Sequence, residues 1–545
     1  MDISEDDVAG AERVLALAWT AAERAQVARS LDGQTAAAMA ARALRFDNAE
    51  PTASRFDPRP PGFVMPARAA EPRFSRADPG PLPDADDDIA FAPAARLAGW
   101  IAAGALTSRR LTELYLARIA ALNPRLACFA TVTPERALAE ADAADALTAR
   151  GVSLGPLHGL PYGLKDIFDT AGVPTEWGAE PFAGRVPATD AAVARRLRAA
   201  GAVLLGKTAV GALAYGDIWS GGITRNPWNL NEGSGGSSAG SASATAAGLC
   251  AFAIGAETLG SITSPCQRCG TTGLRPTFGR VSRAGAMQLC GSLDKVGPIC
   301  RTVEDCAMAL AALNGRDPAD RDSIDAAFAF DAAAPVAGMR LGFLPAAFGE
   351  GATAVDHAAL AAARRIGVEV VEVALPDLPY GSLMNMVYAE AAATFAALTL
   401  DGLDDTLRWQ DDAAWPAAFR RAWHLSAVDH LLLDRLRWRV MLALDGLFGE
   451  VDALIGPFAT GPMLVASNFT GHPCLHLRAG FVETPTRSRT TLALRRPAAA
   501  EGPAFTVPQG ISLWGPLFEE GRLLNLGMAL ERALGVADLR PAFPA

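Results

Sequence analysis

The chain has 545 residues, half of them hydrophobic, and a formal net charge of −10. This composition excludes disorder over most of the chain, and the negative charge argues against nucleic acid or an anionic membrane surface as the main partner. The opening stretch "MDISEDDVAG" lacks the basic and apolar regions of a secretory signal, and eight cysteines are few for a disulfide framework. We therefore expect a cytoplasmic location, with no nucleic-acid or membrane partner.

Three regions follow one another along the chain. Residues 1–46 carry apolar residues at helical spacing among Glu and Arg, which predicts a small N-terminal helical domain. Residues 47–88 are rich in proline and predict an extended linker or strap. From residue 89 to residue 545, apolar runs such as "GAVLLG" alternate with alanine-rich helical stretches such as "DAAVARRLRAAG". Such alternation predicts an α/β body with a central sheet.

Residues 381–450 differ from the rest of this body. They are mostly helical in pattern and rich in aromatic residues, including Tyr388, Phe395, Trp409 and Trp415. Aromatic residues of this kind usually pack in a core, but they also line apolar substrate pockets. Both interpretations stay open here: a packing region, or a substrate-pocket insertion.

Three short motifs match known patterns without the context those patterns need. "GAVLLGKT" (Gly201–Thr208) fits a phosphate-binding loop, but the residues between its glycines are themselves strand-like. "CQRC" (Cys266–Cys269) has one zinc-type pair and no second pair. "GSSAG" (Gly236–Gly240) fits a nucleophile elbow with Ser238 as nucleophile, but no apolar strand precedes it. We therefore predict no metal and no nucleotide or other cofactor.

Lysine is rare in this chain. Of the 49 Lys and Arg residues, only Lys165, Lys207 and Lys295 are lysine. A buried lysine can lose its proton, whereas arginine stays charged in proteins. Lys165 lies in "GLPYGLKDIFDTAG", between an apolar run and a glycine-bounded turn. This position makes it a candidate general base.

Several linked motifs together resemble the amidase signature family. They are "GPLHGLPYGLKDIFDTAG", "GSGGSSAGSASATAAG", "GAETLGSITSPCQRCGTTGLRPTFGRVS" and "SLDKVGPICRTVEDCAMAL", and they form a signature core over about residues 155–310. The resemblance implies an α/β/α sandwich with a mixed central sheet. The N-terminal helices resemble, more loosely, the small C subunit of tRNA-dependent amidotransferases.

The resemblance also implies a Ser–Ser–Lys triad without histidine. In this sequence the base is Lys165, the bridging serine in a cis peptide is Ser237, and the nucleophile is Ser261. The backbone N–H groups of the oxyanion hole belong to Thr258, Leu259, Gly260 and Ser261. Further substrate-binding residues are Tyr215, Gly235 and Gly236.

The implied activity is hydrolysis of a small-molecule carboxamide, including an aryl amide or carbamate, through an acyl-enzyme on Ser261. A burial-neutralised lysine would activate a serine that is a weak nucleophile by itself. The alternative is a catalytically silent or amidotransferase-type subunit of the same fold, which the acidic net charge disfavours for the tRNA-dependent version. As an oligomeric state we expect a homodimer.

Two departures from the family pattern stand in the oxyanion loop. Leu259 occupies a position where the family has glycine, so a positive φ there would distort the loop. Thr263 replaces an arginine that normally braces the site. We hypothesise that Arg268 supplies a substitute guanidinium, an idea that fails if its side chain turns away from Ser261.

Overall fold

The computed structural model describes residues 3–67, 71–75, 78–458, 460–488 and 502–543. The strands are β1 Phe129–Val132, β2 Pro161–Lys165, β3 Val203–Thr208, β4 Ile218–Trp219, β5 Gly222–Ile223, β6 Arg225–Asn226, β7 Asn229–Gly233, β8 Phe252–Glu257, β9 Thr272–Arg275, β10 Lys295–Cys300, β11 Arg340–Phe343, β12 Glu369–Glu372, β13 Ala453–Pro457, β14 Cys474–Thr484 and β15 Phe505–Trp514.

The α-helices are α1 Glu5–Leu15, α2 Ala21–Ala43, α3 Asp86–Ala90, α4 Ala94–Ala102, α5 Ser108–Leu126, α6 Pro134–Thr148, α7 Ala192–Ala199, α8 Ala239–Ala246, α9 Thr263–Cys269, α10 Val303–Leu313, α11 Ala354–Arg365, α12 Met384–Thr394, α13 Ala396–Leu400, α14 Trp415–Ala422, α15 Ala427–Glu450, α16 Met463–Phe469 and α17 Glu520–Leu534. Short 3-10 helices cover Glu180–Phe182, Ala212–Ala214, Pro345–Phe348, Tyr380–Leu383 and Leu403–Thr406. Within the described residues, no helix combines the length and the apolarity needed to cross a membrane.

A mixed sheet of eleven described strands forms the centre of the body. Its order is β1-β3-β2-β8-β10-β9-β14-β15-β13-β11-β12. Strand β2 runs parallel to β3 and β8, and β11 runs parallel to β12 and β13, whereas the other pairs are antiparallel. Helices pack on this sheet, among them α8 on β2 and β8, and α10 on β9 and β10. The predicted α/β fold with a mixed central sheet is confirmed.

The central strands explain where the motifs with the candidate site residues lie. Every residue of β2, β3, β8 and β10 is buried. Strands covered on both faces are apolar along most of their length, which is why they appear in the sequence as short continuous apolar runs. Lys165 ends β2, and the loop that carries Ser261 follows β8. The motifs therefore meet where neighbouring strands end.

The N-terminal helices precede the body, as predicted. Capping boxes at Ser4 with Asp7 and at Thr20 with Glu23 begin α1 and α2. The strap that follows is mostly without regular structure up to α3, although its residues 68–70 and 76–77 lie outside the described residues. The division of the chain into domains stays a prediction.

The aromatic residues between positions 381 and 450 contact one another. The rings of Trp415 and Phe419 stack with centroids 5.0 Å apart, and Phe395 stacks on Phe419 at 5.8 Å. All three side chains are buried. These three rings therefore pack together, and the described residues that line the cavity beside Lys165 come from other segments. The interpretation as a substrate-pocket insertion stays a prediction.

Candidate active site

Lys165 is buried at the end of β2 and faces a hydroxyl. Its Nζ donates to Ser237 Oγ at 2.9 Å and to the Ala256 carbonyl at 3.0 Å. Burial lowers the pKa of Lys165 to about 7, although the charges of Asp294 and Glu257 partly oppose that change. A large fraction of this lysine is therefore neutral near pH 7 and can accept a proton.

Ser237 follows a cis peptide bond after Gly236, as the resemblance implies. A side chain at Gly236 would be excluded, because a Cβ there would lie 1.8 Å from the Gly216 carbonyl oxygen. Gly235 has a φ of 72° and donates its N–H to Asp217. The two glycines thus allow backbone to pass close to backbone, while any contact with substrate stays a prediction.

Ser261 lies in the loop between β8 and α9 and is 8% exposed. The amide of Ser238 donates to the Ser261 carbonyl at 3.0 Å, so the two serine segments touch through their backbones. The positive φ of this loop falls on Gly260, at 86°. Leu259 therefore needs no left-handed conformation, and the expected distortion does not occur. The proton transfer between the Ser237 and Ser261 hydroxyls and the four oxyanion N–H groups remain predictions.

Glu257, the last residue of β8, braces the same loop. Its carboxylate accepts the amides of Ile262 at 2.9 Å and Thr263 at 3.0 Å, together with the Thr263 hydroxyl at 3.1 Å. Arg275 Nη1 lies 2.7 Å from Glu257 Oε1, and both side chains are fully buried. Burial by itself would raise the pKa of Glu257, but Arg275 and the two amides outweigh it and hold the pKa at about 2.

The hypothesis that Arg268 braces the site is wrong. Its guanidinium turns to Glu232, with Nη1 3.5 Å from Oε2, and Arg275 supplies the positive charge at Glu257 instead. Both Glu257 and Arg275 stand in quoted motifs, yet sequence reasoning missed their pairing. The pairing depends on the sheet, in which β10 lies between β8 and β9, and sequence distance favours the nearer Arg268.

A cavity of about 360 Å³ opens beside Lys165. Its lining near the lysine includes Ala214, Ala256 and Thr258. Its other lining segments are residues 283–289, 294–296 and 318–322, and Ala49 and Pro51 of the strap contribute as well. The cavity therefore opens from the candidate base toward solvent. None of the described residues that line it belongs to the aromatic segment 381–450.

A tight turn between β3 and β4 supports the Ser237 segment. The Gly211 amide donates to the Ser237 carbonyl at 3.3 Å, and two non-glycine residues of the turn, Leu213 and Ala214, have φ values of 51° and 60°. The indole N–H of Trp415 donates to the Leu213 carbonyl at 3.0 Å. Sequence analysis named Trp415 as one of the aromatic residues but did not predict this contact, because it joins positions that are about two hundred residues apart.

Tyr215, at the end of this turn, packs among aromatic rings. Its ring stacks on Trp409 with centroids 5.4 Å apart and lies 4.9 Å from Trp415. Its neighbour Ala214 reaches the cavity lining. A role for Tyr215 in substrate binding stays a prediction.

The three motifs set aside on sequence grounds have structural roles. Lys207 is buried in β3 and donates to the Phe168 carbonyl at 2.5 Å and to Thr175 Oγ1 at 2.7 Å. Ser238 Oγ donates to the Ala256 carbonyl at 3.1 Å. All eight cysteines are free and buried. The described residues contain no group of three or more His, Cys, Asp or Glu side chains suited to a metal ion.

Sequence comparison finds relatives over most of the chain. The A subunit of the glutamyl-tRNA(Gln) amidotransferase of Synechococcus sp. (strain RCC307) is 33% identical over 472 residues, which cover 81% of this chain and 97% of that protein. Its counterpart in Anaeromyxobacter sp. (strain K) is 35% identical over 478 residues, covering 81% and 96%.

Structure comparison and a family model agree with these relatives. The peptide amidase from Stenotrophomonas maltophilia has a TM-score of 0.70 and 30% identity, covering 83% of this chain and 99% of that one. An inhibitor-bound vestigial protein complex that reveals the origins of an s-triazine catabolic enzyme contains a chain with a TM-score of 0.69 and 30% identity, covering 81% and 98%. The Amidase family model matches residues 110–524. This chain belongs to the amidase family.

Proposed function

We propose that this chain cleaves the C–N bond of a carboxamide through an acyl-enzyme on Ser261. Ser237 takes the proton of the Ser261 hydroxyl and passes its own proton to neutral Lys165. The Ser261 oxygen then attacks the amide carbonyl, and the backbone N–H groups of residues 258–261 stabilise the oxyanion. The leaving amine takes up a proton through the same relay. Water then releases the acid and restores Ser261.

One observation carries this proposal: a buried lysine with a pKa of about 7 donates to the Ser237 hydroxyl at 2.9 Å. An ordinary lysine, with a pKa near 10.5, would be protonated at neutral pH and could not accept a proton. A general base works best when its pKa is close to the working pH. Lys165 meets that condition and has a hydroxyl partner.

The relatives favour an amidotransferase-type subunit over a stand-alone amidohydrolase of carboxamides, aryl amides or carbamates. The two sequence relatives are A subunits of glutamyl-tRNA(Gln) amidotransferases at 33% and 35% identity, and one structural relative belongs to a vestigial complex. We therefore propose that the chain cleaves its amide as a member of a complex with partner subunits. Because the chain has a net charge of −10, we assign any binding of tRNA to those partners.

A fluorophosphonate probe and an amide panel separate these forms. We expect the purified full chain to be labelled on Ser261 and the Ser261→Ala variant to stay unlabelled. Ammonia or amine release from simple carboxamides, anilides and carbamates by the chain alone would support a stand-alone amidohydrolase. Labelling without such turnover would support the subunit form. Absence of labelling would contradict catalysis on Ser261 and leave the silent form.

A further inference from the structure

A short part of the N-terminal strap contacts the cavity beside Lys165. Residues 48–56, here called the rim segment, include Ala49 and Pro51, which line the same cavity as Lys165 and Thr258. Ala49 is exposed to solvent as well, as expected for a residue at a cavity mouth. The Amidase family model begins to match at residue 110, so the rim segment precedes the matched region.

Asn48 attaches the start of the rim segment to the cavity wall. Its side-chain amide donates to the Gln288 carbonyl at 3.0 Å and accepts the Gln288 amide at 2.9 Å. Gln288 itself lines the cavity, within the segment 283–289. One asparagine side chain thus makes both hydrogen bonds that a neighbouring strand would make, and it places Ala49 at the edge of the opening.

The other end of the rim segment is attached to a second wall segment. The Ser54 carbonyl accepts from Arg321 at 2.5 Å, and Arg55 lies 3.3 Å from Asp322. Both partners belong to the cavity-lining segment 318–322. The rim segment is therefore held at each end by a different wall of the cavity, with Ala49 and Pro51 near its first attachment.

Phe56 anchors the rim segment on the body. Its ring meets Phe278 edge to face at 5.1 Å, and the Arg437 guanidinium lies 3.4 Å above the ring centroid. Cation–π contacts are stronger when the cation is desolvated, and Arg437 is 2% exposed. Such an anchor gives the segment a defined position.

The surface that an entering molecule meets at this end combines apolar side chains with charged side chains that are paired with one another. Ala49, Pro51, Met287 and Leu289 contribute apolar groups. The charged residues there are paired, since Arg283 contacts both Asp320 and Asp322, and Arg321 Nε lies 3.7 Å from Asp322. A group extending from the reacting amide toward the mouth gains contact with apolar atoms and meets no free charge, which favours an uncharged, apolar extension.

We infer that the rim segment sets the size of the substrate, with Ala49 and Pro51 limiting an apolar group that extends from the amide to the cavity mouth. This inference rests on the proposed function, because it takes the cavity beside Lys165 as the substrate site. The small side chain of Ala49 leaves room for an extended chain, and a larger side chain there would close part of the opening. Ala49 is thus a specificity-determining residue outside the family-matched region.

The test compares two fluorophosphonates that react with the same serine but differ in length, one with an ethyl chain and one with a decyl chain. In the full-length chain, Ala49→Trp should lower the labelling rate of the decyl probe at least tenfold relative to wild type. The rate of the ethyl probe should stay within threefold. Ala53→Trp is the matched control, because Ala53 is an exposed alanine of the same segment outside the cavity lining, and it should leave both rates within threefold.

A second variant loosens the rim instead of filling the opening. Asn48→Ala removes both hydrogen bonds to Gln288 and should speed labelling by a branched, bulky fluorophosphonate at least threefold. Equal effects of Ala49→Trp and Ala53→Trp on the ratio of decyl to ethyl labelling would overturn the inference while Ser261 labelling upholds the proposed function. If wild type is labelled by neither probe, the proposed function fails and the inference fails with it.

Discussion

Two buried lysines on neighbouring strands differ in what surrounds them. Strands β2 and β3 are parallel, with Leu164 opposite Lys207 and Lys165 opposite Thr208. Burial is the main cause that lowers the pKa of both lysines, to about 7 for Lys165 and below its ordinary value for Lys207. Burial thus favours the neutral form of both amines, so a lowered pKa alone does not distinguish a base from a structural residue.

The partners make the difference. Lys207 lies 3.7 Å from the Asp166 carboxylate and is enclosed by the Phe168 carbonyl and Thr175. Lys165 has a serine hydroxyl and a carbonyl as partners and lines the cavity. A proton acceptor serves catalysis only where a hydroxyl can hand it a proton beside space for a substrate. Lys165 meets this requirement, and Lys207 serves stability.

The strongest test exchanges each lysine for methionine. Lys165→Met should lower the rate of Ser261 labelling about 10³-fold, since it removes the base, and should change the free energy of unfolding by about 1 kcal/mol. Lys207→Met should leave labelling within tenfold but destabilise the fold by about 3 kcal/mol, because it leaves Asp166 buried without its cation. Labelling kinetics and chemical denaturation measure the two effects. Equal losses of activity and stability in the two variants would contradict the distinction between Lys165 as a base and Lys207 as a structural residue.

The carboxylates near the two lysines provide a second test. Asp166 pairs with Lys207. Glu257, near Lys165, instead pairs with Arg275 and accepts the amide of Thr263 in the loop that carries Ser261. Glu257→Gln should cost about 3 kcal/mol in unfolding free energy, since it leaves a buried guanidinium unpaired, and should slow labelling at least tenfold by loosening the loop. Denaturation and probe kinetics report the two effects.

A matched control separates stability from loop geometry. Glu232→Gln also removes a buried carboxylate from an ion pair, with the partly exposed Arg487 at 2.8 Å, but this carboxylate does not contact the loop that carries Ser261. It should destabilise the fold and leave labelling nearly unchanged. Because the folded pKa of Glu257 is about 2 and its ordinary value is 4.5, its stabilisation should be present above pH 4.5 and be lost as the pH falls toward 2. Glu257→Gln should remove that acid-dependent part.

The pH dependence of labelling sharpens the comparison further. Only neutral Lys165 accepts a proton, so the rate should rise about tenfold per pH unit below pH 7 and level off above it, following the Lys165 pKa of about 7. Lys207→Met should keep this midpoint. A midpoint that moves in the Lys207→Met variant would instead assign the titration to Lys207.

The smallest expected effect concerns the turn that follows β3, the strand of Lys207. Trp415→Phe keeps an aromatic ring but loses the hydrogen bond to Leu213, a loss of about 1 kcal/mol. Because this turn donates to the Ser237 carbonyl, labelling should slow about threefold. Trp409→Phe, which retains stacking on Tyr215 and breaks no bond to the turn, is the control. Equal labelling rates in the two variants would show that Trp415 acts only as packing.

Much of the candidate active site could be predicted from local sequence. The run that ends at Lys165, the double-glycine serine segment and the glycine-rich loop with Ser261 are short contiguous motifs, and the Lys165 amine lies within hydrogen-bonding distance of the Ser237 hydroxyl. The brace of the loop could not be predicted in this way. Arg268 is the nearer guanidinium in sequence, but helix α9 carries it toward Glu232, while strand pairing brings Arg275 to Glu257.

The sequence by itself determined the α/β class, the family and the identity of the candidate base, because apolar periodicity and contiguous motifs are local properties of the chain. Only the tertiary structure decided which of the buried lysines faces a serine hydroxyl beside the cavity, which arginine neutralises Glu257, and that the N-terminal strap reaches the cavity mouth. These are contacts between residues far apart in the chain. They depend on strand order and on the path of an irregular segment, which no local pattern encodes.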